Sequence, residues 1–238
     1  MASSRATGSE QPPPLSDAQT IARHKRSAAR AAAEEVRDGM RVGLGTGSTV
    51  AYLLDALGER AAGGALAGVR CAATSPATEE RARALGLTVT ALDELGELDV
   101  AIDGADQLDA DGWLVKGGGA AHTREKIVAA AARRFVVIVS DEKLVPRVHA
   151  PIPLELVPFA VGTTLAKLAP AQLRGVPRSP DGGLIADYLG EVDRPRELAR
   201  RLSTTPGVVE HGLFEPELVS SIVIAGAGGV ERRVGAKR

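Results

Sequence analysis

Cysteine is nearly missing from this chain: Cys71 stands alone. No intrachain disulfide can form, and a reducing, cytoplasmic setting is the expectation. Aromatic residues are scarce, at 3% against a hydrophobic fraction of 44%. The core must therefore be built from Ala, Val, Leu and Ile. Charge of one sign is missing as well. Lys plus Arg is 29 and Asp plus Glu is 30, a formal net charge of -1. With neither a basic surface nor aromatic residues to stack on bases, nucleic acid is not an expected partner. No apolar run approaches the roughly 20 residues of a membrane span, so no membrane role is expected. His24, His122, His149 and His211 are scattered without ligand spacing, and no metal is expected. The first stretch, MASSRATGSEQPPPL, is polar and proline-rich with no apolar h-region. It reads as a disordered tail over residues 1–15, not as a signal peptide.

The 238 residues suit one large domain or one domain with a smaller companion. Ser16-Asp17-Ala18-Gln19 matches a capping box and predicts an Ala-rich helix running to Arg37, ended by Gly39. Strands are predicted at Arg41 to Leu44, Val69 to Ala73, Leu87 to Thr90, Asp99 to Ile102 and Phe135 to Ser140. Helices are predicted between them at Ser48 to Arg60, Pro76 to Leu85 and Thr123 to Arg133. This alternation predicts an α/β fold: a Rossmann-like parallel sheet covered by helices on both faces. Burial of both faces accounts for FVVIV, which shows no polar alternation.

After His149 the texture becomes proline-punctuated. Strand Leu154 to Val157, helix Thr163 to Leu168, strands Arg174 to Arg178 and Leu184 to Tyr188, helix Pro195 to Leu202 and strand Val208 to Phe214 follow in turn. Asp181-Gly182-Gly183 supplies the hairpin turn. A β-α-β-β-α-β order predicts a small ferredoxin-like domain over residues 151–215, inserted in a catalytic α/β domain of residues 16–150 and 216–238. Leu218 to Ala225 is predicted to return to the first sheet.

Two segments carry candidate chemistry. VGLGTGST lies between a strand and a helix, where helix N–H groups favour an anion. Thr46, Ser48 and Thr49 add hydroxyls, and Gly45 and Gly47 let the backbone approach closely. No lysine precedes Ser48, which excludes a Walker A loop, and Ser48 occupies the third glycine position of a dinucleotide fingerprint. A phosphate monoester fits better, though an ordinary strand-to-helix turn is the plain alternative.

The second segment, from Asp103 to Lys126, reads DGADQLDADGWLVKGGGAAHTREK. Asp103 ends a strand and Asp106 follows one turn later, where open α/β sheets place ligands. A capped turn or a Mg²⁺ site would use the same two carboxylates. Lys116 precedes Gly117-Gly118-Gly119, whose bare N–H groups form a nest able to hold a developing oxyanion. Glu125, near the start of the next helix, is either a solvent-facing residue or a general base aimed at that nest.

At these residues the chain resembles ribose-5-phosphate isomerase type A. The matching segments are GLGTGST (Gly43 to Thr49), DGAD (Asp103 to Asp106), KGGGAAHTREKI (Lys116 to Ile127) and SDEKLV (Ser140 to Val145). PIPLELVP and PGVVEHGLF match the family's second-domain texture, and the similarity runs from about Gln19 to Ala225. The resemblance implies a metal-independent and cofactor-free isomerase of D-ribose 5-phosphate and D-ribulose 5-phosphate in the pentose phosphate pathway, usually a homodimer or homotetramer. It implies Glu125 as the base moving a proton between C2 and C1, Asp103 in ring opening, Lys116 on the enediolate and Asp106 at the sugar hydroxyls. Substrate contacts are implied for Thr46, Gly47, Ser48, Thr49, Gly104, Ala105, Gly117, Gly118, Gly119 and Lys143. Gln107 departs from the pattern, replacing a common Glu, and Asp181-Gly182-Gly183 lacks the asparagine often found there. Two alternatives share such a loop: an amino-sugar phosphate deaminase, which needs a different acid and histidine pattern, and a non-catalytic sugar-phosphate sensor lacking the base or the lysine.

Overall fold

The strand–helix alternation resolves into a seven-stranded sheet in the computed structural model, which describes residues 16–237. The tail expected over residues 1–15 lies outside the described residues. Helix α1 (Asp17–Ala33) opens with the capping box: Gln19 N–H donates to Ser16 Oγ at 3.3 Å and Ser16 N–H to Gln19 Oε1 at 2.9 Å. It stops a turn before the expected Arg37. There the chain folds back to bury Val36 and to aim Glu35 at Arg134 and Arg232. Then come β1 (Arg41–Leu44), α2 (Ser48–Ala62), β2 (Arg70–Ala73), α3 (Pro76–Ala84), β3 (Thr88–Val89), α4 (Leu92–Leu95) and β4 (Leu98–Asp103). A short hairpin, β5 (Gln107–Leu108) and β6 (Leu114–Val115), leads to α5 (His122–Ala130) and β7 (Ala132–Ser140). The expected helical end at Arg133 is overturned because Ala132 and Arg134 pair with Leu98 and Val100 of β4.

Next are β8 (Ile152–Leu156), α6 (Val161–Leu168), β9 (Ala171–Leu173), β10 (Leu184–Tyr188), α7 (Pro195–Ser203) and β11 (Val208–His211). The chain ends through β12 (Leu213–Phe214), β13 (Ser221–Gly226) and β14 (Gly229–Val234). The strand expected at Arg174 to Arg178 lies earlier, at β9, since Pro177 and Pro180 have no N–H for a ladder. The single strand expected at Val208 to Phe214 divides at Gly212, where a Cβ would stand 2.2 Å from the Lys116 carbonyl oxygen. β11 pairs with β8, whereas β12 pairs with β6.

The large sheet runs β14-β13-β7-β4-β1-β2-β3, parallel except for β14. Alternate residues feed two cores. Val136 and Ile138 pack with α1 and α2, while Phe135, Val137 and Val139 pack with Val128 and Ala129 of α5. The second face is thus only partly helical: Leu108, Leu114 and Phe214 of the small sheet β12-β6-β5 complete it. A separate four-stranded antiparallel sheet, β11-β8-β10-β9, buries Ile152, Leu154 and Leu156 with Leu168, Leu198 and Leu202 of α6 and α7. Pro153 and Glu155 of β8 are buried as well. Pro153 lies close to Gly117 and Gly212, and Glu155 accepts from Thr123 of α5, so the opposite face of this layer leans on the glycine segment and on α5.

Candidate active site

Connections from β1 proceed through β2 to β3, whereas β4 lies on the other side of β1 and leads to β7 and β13. The strand order therefore reverses between β1 and β4, and an open α/β sheet has its crevice at the carboxyl ends of such a pair. Residues 45–49 leave β1 there, residues 103–106 leave β4, and Asp141–Lys143 leaves β7 as a 3₁₀ turn. One cleft collects them. Its walls are Thr46 to Thr49, Gly104 to Asp106, Lys116 to Gly119, Glu125 and Lys143.

Lys116 is the hub. Its Nζ donates to the Gly104 carbonyl at 2.6 Å and stands 2.9 Å from Asp103 Oδ2 and 3.2 Å from Glu125 Oε2. All three side chains are at most 4% exposed. Phe214 lies beneath, its ring centre 5.5 Å from the ammonium. Burial works against the Lys116 charge, but Asp103 and then Glu125 outweigh it and hold its pKa above the usual lysine range. Burial pushes Glu125 up to about 8, against the pull of Lys116 and helped by the negative charge of Asp103. Among the described residues its Oε2 has no hydrogen-bond partner, and it meets Lys116 only as an ion-pair contact.

Burial also raises Asp103, opposed by Lys116 and by two backbone donors. Those donors are the N–H groups of Gly104 and Thr46, at 2.7 and 3.1 Å from Oδ1. Asp103 therefore sits behind Lys116 rather than on the cleft wall. Gly45 must be glycine here, because a Cβ would lie 1.9 Å from the Asp103 carboxyl carbon. The two carboxyls are unequal: Asp103 has dedicated N–H donors, whereas Glu125 Oε2 has only its contact with Lys116.

Asp106 is exposed at the mouth, where its Oδ2 accepts from Gly118 N–H at 2.7 Å. Gly117 has φ +106°, and a Cβ there would strike His122 Nδ1 at 2.7 Å. Gln107 points away from the cleft. Its amide donates to the His149 carbonyl at 3.0 Å and accepts from His149 N–H at 2.8 Å. A glutamate could not make the donating half of that pair. This accounts for the residue that the family resemblance left unexplained.

At the other end, α2 begins at Gly47 with φ +118° and no side-chain cap among the described residues. Its first N–H groups face the cleft without a protein partner of that kind, which is the arrangement that receives an anion. Thr46 lines the wall but is already committed: its N–H goes to Asp103 and its hydroxyl meets that of Thr74 at 2.7 Å. Lys25 of α1 donates to Ser48 Oγ at 3.0 Å, bringing a cation to this end that sequence reasoning missed. Its neighbour His24 contacts Asp141 at 3.1 Å, beside Lys143. One turn of α1 thus ties the Ser48 loop to the Lys143 turn. Nothing local in the sequence marks Lys25, since its partner lies 23 residues away.

A family model described as ribose 5-phosphate isomerase A (phosphoriboisomerase A) matches residues 70–229. The chain is 44% identical over 234 residues to ribose-5-phosphate isomerase A of Bradyrhizobium diazoefficiens, covering 88% of this chain and 95% of that protein. It is 41% identical to the Lacticaseibacillus paracasei protein of the same name, covering 87% of this chain and 94% of the other. A solved D-ribose-5-phosphate isomerase in complex with phospho-erythronic acid superposes with a TM-score of 0.86 at 33% identity, over 90% of this chain and 99% of that one. The ribose 5-phosphate isomerase A of Methanocaldococcus jannaschii gives 0.84 at 34% identity, over 89% and 98%.

Proposed function

This chain belongs to the ribose 5-phosphate isomerase A family, and from that premise we propose how its cleft interconverts D-ribose 5-phosphate and D-ribulose 5-phosphate. The observation that carries the reading is Glu125: a buried carboxyl whose Oε2 meets a buried ammonium at 3.2 Å, beside a glycine nest. The reaction takes a proton from C2 and returns it to C1, while a hydroxyl proton passes from O2 to O1. Atoms balance with no outside reagent, so one carboxylate suffices.

The phosphate is assigned to the N-terminus of α2, with Ser48, Thr49, Lys25 and Lys143 around it. Binding energy at that end orients carbons that react at the other. Ring opening is assigned to the Asp103–Lys116 pair, with Lys116 at the wall as the proton donor and Asp103 behind it assisting by holding that ammonium charged and aimed. Lys116 and the N–H groups of the nest then stabilise the cis-enediolate, and Asp106, exposed at the mouth, takes the sugar hydroxyls. Gly104 and Ala105 shape the adjoining wall. We read residues 16–150 and 216–238 as the catalytic unit and 151–215 as a ferredoxin-like unit set against it. A homodimer or homotetramer in the cytoplasm fits the family reading. Among the described residues, no helix is long and apolar enough to cross a membrane.

Turnover in chelator-treated heavy water tests the reaction. Ribulose 5-phosphate should form at the rate seen without chelator, with solvent deuterium at C1 in the turnovers where Glu125 exchanges its proton before returning it. Deuterium at C1 marks a proton exchanged on Glu125 before its return, product without deuterium is what either full internal return by one base or a hydride shift would give, and no product would sink the isomerase reading. A pH series tests the base. Glu125 accepts a proton only when ionised, and its pKa is about 8 in the substrate-free protein. kcat/KM should therefore rise about tenfold per pH unit below that value and level off above it. A flat profile between pH 6 and 9 would reject Glu125 as the titrating base.

A further inference from the structure

Arg174 leaves the end of β9 and crosses to the glycine nest. Its Nε and Nη2 donate to the two carboxylate oxygens of Asp187 on β10, at 2.7 and 2.6 Å. Its Nη1 donates to the Gly117 carbonyl at 2.9 Å and reaches the Gly118 carbonyl at 3.5 Å. The Arg174 and Asp187 side chains are only 19% and 13% exposed. A planar guanidinium held by two parallel bonds to one carboxylate has a fixed direction, so its remaining edge is a fixed donor.

The geometry of the peptide unit gives that donor its consequence. In a trans peptide, the carbonyl of one residue and the N–H of the next point in opposite directions. Drawing the Gly117 and Gly118 carbonyls toward Arg174 turns the N–H groups of Gly118 and Gly119 the other way. Gly118 N–H is found there, on Asp106 at the cleft mouth. Three successive glycines have little intrinsic preference for any one set of planes; Ala120 N–H, 3.1 Å from the Gly117 carbonyl, helps to fix the first plane but not the second. Donors to an oxyanion help only when they are aimed before the charge develops.

We propose that Arg174, clamped by Asp187, is a positioning residue that sets the peptide planes of the Gly117–Gly119 nest, so that Gly118 N–H holds Asp106 at the cleft mouth and Gly119 N–H is aimed at the developing enediolate. This rests on the isomerase reading of the cleft. The same antiparallel layer secures the base from the other side: Arg124 is paired with Asp181, Thr123 with Glu155, and Lys126 with the His211 carbonyl. The donors and Glu125 are thus held by one layer that contributes no wall residue to the cleft.

The test compares Arg174→Ala and Arg174→Lys with the unaltered enzyme, using two probes besides turnover. Inorganic phosphate reads the far end of the cleft. 4-Phospho-erythronate, four carbons long with a phosphate at one end and a carboxylate at the other, reads both ends at once. We expect kcat to fall about 10- to 100-fold, the scale of a misaimed oxyanion donor, with KM changed less than about threefold. Affinity for 4-phospho-erythronate should fall in step with kcat, phosphate affinity should hold, and the pH midpoint should not move. Added guanidinium should restore part of the activity of Arg174→Ala, and Lys should restore little. A kcat within about twofold of the unaltered enzyme would overturn the proposal, as would equal loss of both probes, the mark of a loosened scaffold. Should Arg174→Ala fail to fold, Asp187→Asn, which keeps Arg174 but weakens its clamp, decides by the same two probes. An unaltered enzyme that does not turn over ribose 5-phosphate would instead remove the isomerase reading itself.

Discussion

Glu125→Gln should lower kcat by about a thousandfold or more, while inorganic phosphate still binds as before. Gln keeps the volume of the side chain and cannot accept the C2 proton. A positioned general base accounts for roughly a hundredfold to ten-thousandfold on its own, and here one group serves both transfers, so the upper part of that range applies. The variant should also stop exchanging the C2 proton of substrate with heavy water, which separates lost chemistry from slow product release. The fold should survive. The present Oε2 already lacks a hydrogen-bond partner among the described residues, so the change breaks an ion-pair contact and no hydrogen bond at that oxygen. A variant that retained near-unaltered turnover would transfer the base role away from Glu125.

Lys116→Met should damage both activity and stability. Removing one partner of a buried ion pair leaves its counter-charge uncompensated, typically at a cost of about 3–5 kcal/mol. Two carboxyls, Asp103 and Glu125, would here lose the same cation. The sign of the pH dependence follows. Burial already raises both carboxyls in the folded protein, and without Lys116 they rise further above their unfolded values. The folded state then binds more protons than the unfolded state between the two sets of values, so stability is present at low pH and lost as pH rises. Thermal melting should find the variant nearest the unaltered protein around pH 5 and furthest below it around pH 8.5. A deficit that shrank toward high pH would contradict the buried triad. Activity should be lost across the same range, because the enediolate loses its nearest cation.

How far the cleft was legible in the sequence differs by residue. GTGST, DGAD and KGGG each lie within a few residues of a strand end, and short-range chemistry marks them. Glycines permit positive φ or close approach, and hydroxyls, acids and a lysine are poor core material. Glu125 was harder: an isolated Glu in the first turns of a helix usually faces solvent. Its 4% exposure is a tertiary result: Lys116 meets it at 3.2 Å, and the antiparallel layer bonds its neighbours Thr123, Arg124 and Lys126. Gln107 reads as a lost charge in sequence and turns out to be a bidentate amide on the His149 backbone. Lys25 and Arg174 carry no local mark at all, since each acts on a segment 23 or 56–57 residues distant.

Periodicity and capping, by contrast, were enough to locate most elements, because those signals are written over a single turn or a single strand. Their ends were less legible. The helices expected to reach Arg37 and Arg133 stop early where sheet pairing or core burial claims the next residues. The strand expected through Val208 to Phe214 is cut at Gly212 by the approach of Lys116.

The sequence by itself determined the chemistry available: a parallel α/β scaffold, a glycine and hydroxyl loop suited to an anion, two acids, a lysine, a glycine nest and a glutamate near the start of a helix. Only the tertiary structure decided the roles these groups can take. A carboxyl's proton affinity depends on its burial and on the charges within a few ångströms, and those are set by residues far apart in the chain. That is why Asp103 and Glu125, both acids near the ends of elements, diverge into one held by two backbone N–H groups and one that meets Lys116 alone and has its pKa pushed up to about 8.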